Sequence, residues 1–171
     1  HLREVRRDRS AEVGMQLARS YGLLGQLLQQ ASVLEGLVRE YAGTNAAFEA
    51  RFSWGQTLVL AGKTKEAIGV FDVLIQEPVN TPYRSQALMR KALLLYNESN
   101  ADLALALAQQ IAQEYPRTQV AMEAVGLVKQ VYIDQTNIDA YTAWVSALGY
   151  VQPEVQELDQ ASYDAASNAM A

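Results

Sequence analysis

Apolar residues recur along this chain at alternating helical steps of three and four. Leu27, Ala31, Leu34, Val38 and Tyr41 show the spacing most clearly. Such spacing places the side chains along one side of a helix, whereas a half-buried strand would alternate apolar and polar residues at every step. Strand signals are absent from the sequence, and glycine and proline fall between the periodic stretches. The pattern therefore predicts an all-α protein.

The apolar pattern also repeats along the chain. Ala67 and Ala104 lie near the start of two corresponding helical stretches and are 37 residues apart (104 − 67 = 37). Ala50 and Ala87, in the stretches just before them, have the same separation (87 − 50 = 37). Self-similarity at a fixed period is typical of repeat proteins, in which each unit covers the apolar face of its neighbour. The sequence therefore predicts a reiterated pair of helices.

Glycine and proline residues between the periodic stretches divide the chain into four such pairs of helices. Gly43 and Gly62 suit helix ends, and Pro78 and Pro116 fall where a missing N–H costs nothing. The predicted helices cover about 10–25 and 27–42, 45–61 and 64–77, 81–97 and 100–115, and 118–134 and 137–148, with a ninth from about Glu154 to the end. We thus predict a single repeat domain, 1–171, with units at about 10–43, 44–80, 81–117 and 118–152 and a terminal helix at 154–171.

The chain lacks the residue types that most catalytic sites use. The chain has no cysteine, and its one histidine is His1, so the usual nucleophiles, bases and metal ligands are missing. No glycine-rich phosphate loop is present. Carboxylate pairs such as Asp134 with Asp139, or Glu154 with Glu157 and Asp159, remain formally open, but helix starts and solvated faces explain them as well. We expect no enzyme activity, no metal and no cofactor.

Charge and hydropathy exclude two further classes of partner. The formal net charge is −5, which opposes nucleic-acid binding although Leu2–Arg9 is locally basic. No apolar run reaches the roughly 18 to 20 residues that cross a bilayer. The chain opens on His1 and Leu2, so we expect a mature form or a piece of a longer protein.

One segment carries a resemblance to a known family. Residues 50–78, ARFSWGQTLVLAGKTKEAIGVFDVLIQEP, resemble a tetratricopeptide repeat through Trp54-Gly55, Gly62, Ala67, Phe71 and Pro78. The third unit keeps small residues at Ala92 and Ala104 and closes with Pro116, whereas Lys129 and Tyr141 replace small residues in the fourth. The resemblance covers about residues 10–150. It implies an α-α superhelix, a right-handed solenoid of about four helical hairpins plus a terminal helix.

The resemblance also implies a binding face. In tetratricopeptide proteins the first helices of successive pairs line a concave groove that holds a peptide or a partner helix. The matching positions here that we select as partner-binding residues are Phe52, Gln56, Met89, Leu93, Tyr96 and Gln130. The alternative is that the apolar members of this set pack between neighbouring helices. Trp54, Tyr141 and Trp144 are expected to anchor the core.

A looser resemblance concerns the stretch from Val131 onward. It is similar to large exported tetratricopeptide proteins of Bacteroidota-type bacteria, with Asp159, Tyr163, Ala165 and Ala166 as a D-x-x-x-Y-x-A-A helix. This implies a periplasmic or outer-membrane-associated scaffold for envelope assembly or transport. A purely structural spacer and, more remotely, a helical-array enzyme or small-ligand binder are the alternatives. The predicted ends of the solenoid expose apolar residues, among them Val13, Leu17 and Met170, and a weak dimer through these ends is therefore an expectation as well.

Overall fold

A computed structural model describes residues 2–78 and 81–151, with side chains from residue 9 onward. These residues form eight α-helices and no strand, which confirms the predicted all-α fold class. The helices are α1 (Leu2–Leu23), α2 (Leu27–Glu40), α3 (Asn45–Leu60), α4 (Thr64–Gln76), α5 (Pro82–Asn97), α6 (Ala101–Glu114), α7 (Gln119–Asp134) and α8 (Ile138–Leu148). The predicted ninth helix, with Glu154, Glu157, Asp159 and Met170, lies outside the described residues.

The helices form consecutive hairpins in two compact units. The N-terminal unit comprises His1–Ala87 and the C-terminal unit comprises Leu88–Ala171, so the boundary falls within α5. In the N-terminal unit α1 packs on α2, α2 on α3 and α3 on α4, and α1 also contacts α3. In the C-terminal unit α6 packs on α7 and α7 on α8. We call α1, α3, α5 and α7 the first helices, and α2, α4, α6 and α8 the second helices.

The turn between the first and second helix has the same backbone conformation in every hairpin. One residue of each turn has a positive φ: Gly25 (69°), Gly62 (72°), Ser99 (61°) and Thr136 (53°). The next residue donates its N–H to a carbonyl five residues earlier, in the pairs Gln26–Tyr21, Lys63–Leu58, Asn100–Leu95 and Asn137–Tyr132 at 2.8 to 2.9 Å. This is the bonding of a Schellman motif, which satisfies carbonyls at the end of a helix. Because the four positions are each 37 residues apart (62 − 25, 99 − 62, 136 − 99), the sequence period is also a backbone period.

Threonine begins two of the first helices in the same way. Thr44 Oγ1 accepts the N–H of Ala47 at 3.3 Å, and Thr118 Oγ1 accepts that of Ala121 at 3.2 Å. Each bond satisfies one of the N–H groups that a helix start leaves unpaired. Thr81 precedes α5 at the corresponding place, but its buried Oγ1 has no hydrogen-bond partner.

In the N-terminal unit, small residues let two helices cross closely. A Cβ on Gly55 of α3 would lie less than 3.0 Å from three ring carbons of Phe71 in α4. The Phe71 ring is fully buried, as are the side chains of Ala67 and Leu74 beside it. The larger residue therefore occupies space that the missing side chain leaves, as expected for interlocking helix surfaces.

The core of the C-terminal unit uses small residues where the N-terminal unit uses an aromatic ring. Ala108 replaces Phe71 one period later and has no exposed surface. Tyr141, at a position where a small residue was expected, is 5 % exposed and its ring lies 6.4 Å from that of Trp144. Other fully buried residues of this unit include Ala92, Ala104, Ile111, Val128, Val131 and Val145.

One helix boundary differs clearly from the sequence prediction. Helix α1 begins at Leu2 rather than near residue 10, because leucine, arginine and glutamate are good helix formers and no glycine or proline interrupts Leu2–Arg9. The remaining helices begin and end within a few residues of their predicted limits.

Among the described residues, no helix combines the length and the apolar character needed to cross a membrane.

Candidate functional site

The six predicted partner-binding residues differ in exposure. Phe52 and Met89 are buried, with 7 % and 4 % of their surface exposed. Gln56, Leu93 and Tyr96 are half-buried, and Gln130 is exposed. Phe52 packs its ring against Phe71 and Tyr83, with centroids 6.0 and 5.8 Å apart, which is the packing role that the alternative interpretation gave it. A binding role for the six stays a prediction.

A cavity lies on the first-helix side of the N-terminal unit. We call it the first-helix cavity; its volume is about 310 Å³. Residues from α1, α3 and the first turn of α5 line it: Ala11, Glu12, Met15, Gln16, Arg19, Asn45, Ala46, Glu49 and Tyr83. Ala11 and Met15 are buried, while Glu12, Gln16, Arg19 and Asn45 are exposed. The cavity therefore combines an apolar base with a polar, charged rim, a combination that is common in binding sites.

The charges of this cavity interact across two helices. Arg19 Nη2 of α1 lies 3.4 Å from Glu49 Oε1 of α3, and the two side chains are 61 % and 37 % exposed. Tyr83 of α5 faces the same region: burial and, second, the negative charge of Glu49 raise the pKa of its phenol above the usual 10.0. The carboxylate of Glu49 thus influences both neighbours and lies at the centre of the charged rim.

A polar cluster occupies the first-helix side of the C-terminal unit. Tyr96 at the end of α5 donates its hydroxyl hydrogen to Asp134 Oδ2 at 2.5 Å, and Gln130 Nε2 donates to Asp134 Oδ1 at 2.8 Å. The hydrogen bond to Asp134 raises the pKa of the Tyr96 phenol, and burial and the aspartate charge add to the shift. Two of the predicted partner-binding residues are therefore joined through a third side chain, Asp134.

Another cavity lies in the C-terminal unit, along the second helices α6 and α8. Its volume is about 290 Å³, and Ala112, Gln113, Pro116, Trp144, Ala147, Leu148 and Tyr150 line it. Tyr150 donates its hydroxyl hydrogen to the carbonyl of Ala112 at 2.6 Å, and burial raises the pKa of this phenol. Its hydroxyl joins the segment that follows α8 to α6, so we assign Tyr150 a structural role.

Sequence reasoning missed several members of the first-helix cavity. Glu12 and Arg19 were not selected, because the first pair of helices matches the family too weakly to transfer positions. Asn45 and Tyr83 were not selected either, although they lie in the first turns of α3 and α5. The period offered a signal, since Glu12 precedes Glu49 by 37 residues (49 − 12 = 37). Asp134 was considered as a possible carboxylate pair with Asp139, and its link to Tyr96 could not be seen from spacing.

Metal-binding geometry is not found in the part of the chain that the structure describes. Residues 2–78 and 81–151 contain no group of three or more histidine, cysteine, aspartate or glutamate side chains able to hold a metal ion. The described acidic residues instead pair with neighbours or project from helix surfaces, as Arg51–Glu77 and Lys63–Glu66 illustrate.

Comparison with known proteins points to one family. The sequence model of the tetratricopeptide repeat matches residues 86–118. A search of curated proteins finds no match. The match to the family model covers most of the third predicted unit, 81–117, and not the second unit, whose residues 50–78 carry the resemblance described above.

Solved structures of similar fold are repeat proteins. The nearly identical TPR-like repeats of a Podosopora anserina protein described as a putative kinesin light chain have a TM-score of 0.62 at 13 % identity, covering 94 % of this chain and 96 % of that one. A variant of those repeats, with one glutamine replaced by methionine, has a TM-score of 0.65 at 14 % identity, covering 92 % and 86 %. A MamA double mutant from RS-1 has a TM-score of 0.64 at 17 % identity, covering 94 % and 92 %.

These matches give no support to the resemblance to exported Bacteroidota-type proteins, so the compartment stays a prediction. At such low identity the structural matches establish the fold alone. The chain has the fold of tetratricopeptide-like repeat proteins, and residues 86–118 match the sequence model of that family's repeat.

Proposed function

We propose that this chain is a protein–protein interaction scaffold whose first helices bind a peptide or a partner helix. The observation that carries the proposal is the first-helix cavity, which residues of the first helices α1, α3 and α5 line. In the tetratricopeptide architecture the first helices line the binding groove. Tetratricopeptide-like folds generally mediate protein–protein contacts. A concave site with an apolar base and a few polar groups at its rim is also the usual form of a ligand site.

Exposed apolar surface on a first helix supports the same side. Leu60, in the last turn of α3, is 73 % exposed and lies one helical turn after Gln56. A partner that covers such a side chain removes apolar surface from water, which favours binding. A partner that contacts Gln56 would reach Leu60 as well, so this residue is a suitable probe of the proposed face.

A peptide-selection experiment tests the proposal with a matched pair of variants. Peptides are selected from a displayed random library on the full chain, and the affinity of a selected, fluorescein-labelled peptide is measured by fluorescence anisotropy. Leu60→Ala should weaken binding about five- to tenfold, or about 1.0–1.4 kcal/mol, a loss that fewer than a third of interface residues reach. The control is Leu103→Ala on the second helix α6, since Leu103 is similarly exposed at 60 %.

The alternative function, a structural spacer that binds nothing itself, predicts a different result. No peptide would be enriched, and neither leucine variant would change any binding curve. Binding that depends on Leu103 and not on Leu60 would move the site to the second helices and contradict the proposal.

The setting of this scaffold is part of the proposal. The resemblance of the C-terminal stretch suggests a periplasmic or outer-membrane-associated scaffold for envelope assembly or transport, which cell fractionation of the tagged native protein would test.

The apolar residues Val13 and Leu17 on α1 are 68 % and 47 % exposed, which supports a weak dimer through this end. Sedimentation velocity over a concentration series, with Leu17→Lys as the non-associating variant, would detect it.

A further inference from the structure

The first-helix cavity has a shape that suits a long side chain with a charged end. Its base is formed by Ala11, Met15 and Ala46, and its rim carries Glu12 on α1 and Glu49 on α3. A volume of about 310 Å³ accommodates one large side chain together with its backbone. Long basic side chains bury an aliphatic stem on apolar surface while the charged end stays at the rim.

Charge within the cavity is unbalanced. Its lining includes two carboxylates, those of Glu12 and Glu49, and one guanidinium, that of Arg19. The Arg19–Glu49 pair is long at 3.4 Å, and its side chains are 61 % and 37 % exposed. An exposed ion pair of this kind contributes little to stability, so Arg19 can leave Glu49 at small cost when another cation arrives.

The carboxylate also recurs in the repeat. Glu12, Glu49 and Glu123 occupy the same position of three first helices, at separations of 37 and 74 residues (49 − 12 and 123 − 49), and Gln86 fills the remaining one. The carboxylate thus recurs at one position of the first helices and is not confined to a single helix. Negative charge at this position favours partners with basic residues.

We propose that the first-helix cavity binds an arginine or lysine side chain of the partner protein. The stem lies on Ala11, Met15 and Ala46, and the cationic end lies between Glu12 and Glu49, where a guanidinium can donate to a carboxylate through two parallel N–H groups. Asn45 and Gln16 offer amide groups to the partner's backbone. This inference rests on the proposed function, which supplies the partner.

The test uses two short peptides that differ only in charge. One carries a single central arginine among alanine and glycine residues, and the other carries citrulline, which has nearly the same shape and no charge. Binding to the ¹⁵N-labelled full chain is followed by amide chemical shifts. We expect the arginine peptide to bind at least about fivefold more tightly, with shifts concentrated at residues 11–19 and 45–49, and the preference to shrink at high salt.

Variants assign that preference to the cavity. Glu49→Gln and Glu12→Gln should each reduce the difference between the two peptides. Glu98→Gln, at an exposed position in the turn after α5, changes the net charge equally and should leave the preference intact. Equal binding of the two peptides, or an equal effect of Glu98→Gln, would overturn the inference. The proposed function would survive that result if library-selected peptides still depended on Leu60, and it would fail separately if they did not.

Discussion

At the scale of single residues, the four hairpin turns solve one backbone problem with different side chains. Gly25 and Gly62 adopt the left-handed conformation at no steric cost, whereas Ser99 and Thr136 adopt it with a Cβ. Thr136 is the least suited of the four, because a β-branched residue with positive φ is a genuine outlier. The backbone period is therefore kept although the residue at this turn changes from glycine to serine and threonine.

This difference gives a stability prediction. Thr136→Gly should raise the free energy of unfolding by about 0.5–1 kcal/mol, because relief of the left-handed strain exceeds the added entropy of the unfolded glycine. Urea titration followed by circular dichroism measures it. A substitution in the opposite sense is Gly62→Ala, which adds a Cβ at a left-handed position. It should lower the free energy of unfolding by about 1 kcal/mol. A Thr136→Gly variant less stable than the wild type would contradict this account of the turns.

A second residue-scale prediction concerns close packing. Gly55→Ala should cost about 1–3 kcal/mol, because the new methyl group would overlap the fully buried Phe71 ring. Gly69 of α4 is the matched control: a Cβ there meets nothing within 4 Å, so Gly69→Ala should stabilise the helix by about 0.5–1 kcal/mol. Thermal unfolding of the two variants should therefore shift in opposite directions, and a neutral Gly55→Ala would show that the crossing is looser than described.

At the scale of helices, much of the fold follows from spacing. The 37-residue period, the eight helices and the buried alanines at 67 and 104 could be predicted, because apolar periodicity determines which side of a helix is buried. Burial of Phe52 and Met89 could not be decided, since a first helix has both a packed side and an open side and these residues lie near their border. Pairing between distant polar side chains, such as Tyr96 with Asp134, leaves no trace in periodicity.

The Tyr96–Asp134 hydrogen bond ties α5 to α7 and predicts a pH dependence. The pKa of Tyr96 is raised, so the neutral phenol is favoured in the folded chain. Its stabilising contribution is complete below the unfolded pKa of about 10 and is lost as the pH rises through the higher folded pKa. Tyr96→Phe should therefore lower the melting temperature at neutral pH and make it fall less steeply above about pH 10 than in the wild type.

Asp134→Asn provides the control for this prediction. It keeps an acceptor for the phenol but removes the charge, so the pKa of Tyr96 should move back towards 10.0. Melting curves recorded from about pH 8 to pH 11 would compare the three proteins. Parallel pH profiles for wild type and Tyr96→Phe would mean that the hydrogen bond does not influence folding.

At the scale of the whole molecule, the repeat period connects fold and function. The same 37-residue period that places glycine or a strained substitute in each turn also places Glu12, Glu49 and Glu123 at one position of the first helices. The candidate binding site could therefore be predicted only in part from the sequence. The family resemblance indicated the face, while the cavity needed the packing of three chain segments, α1, α3 and the start of α5.

Photo-cross-linking tests the central claim most directly. A library-selected peptide that carries benzophenone is irradiated with the full chain, and the attachment sites are identified by mass spectrometry. Our account predicts adducts on the first helices α1, α3, α5 and α7, including residues 11–19 and 45–49 beside the first-helix cavity. Adducts confined to the second helices α2, α4, α6 and α8 would contradict it.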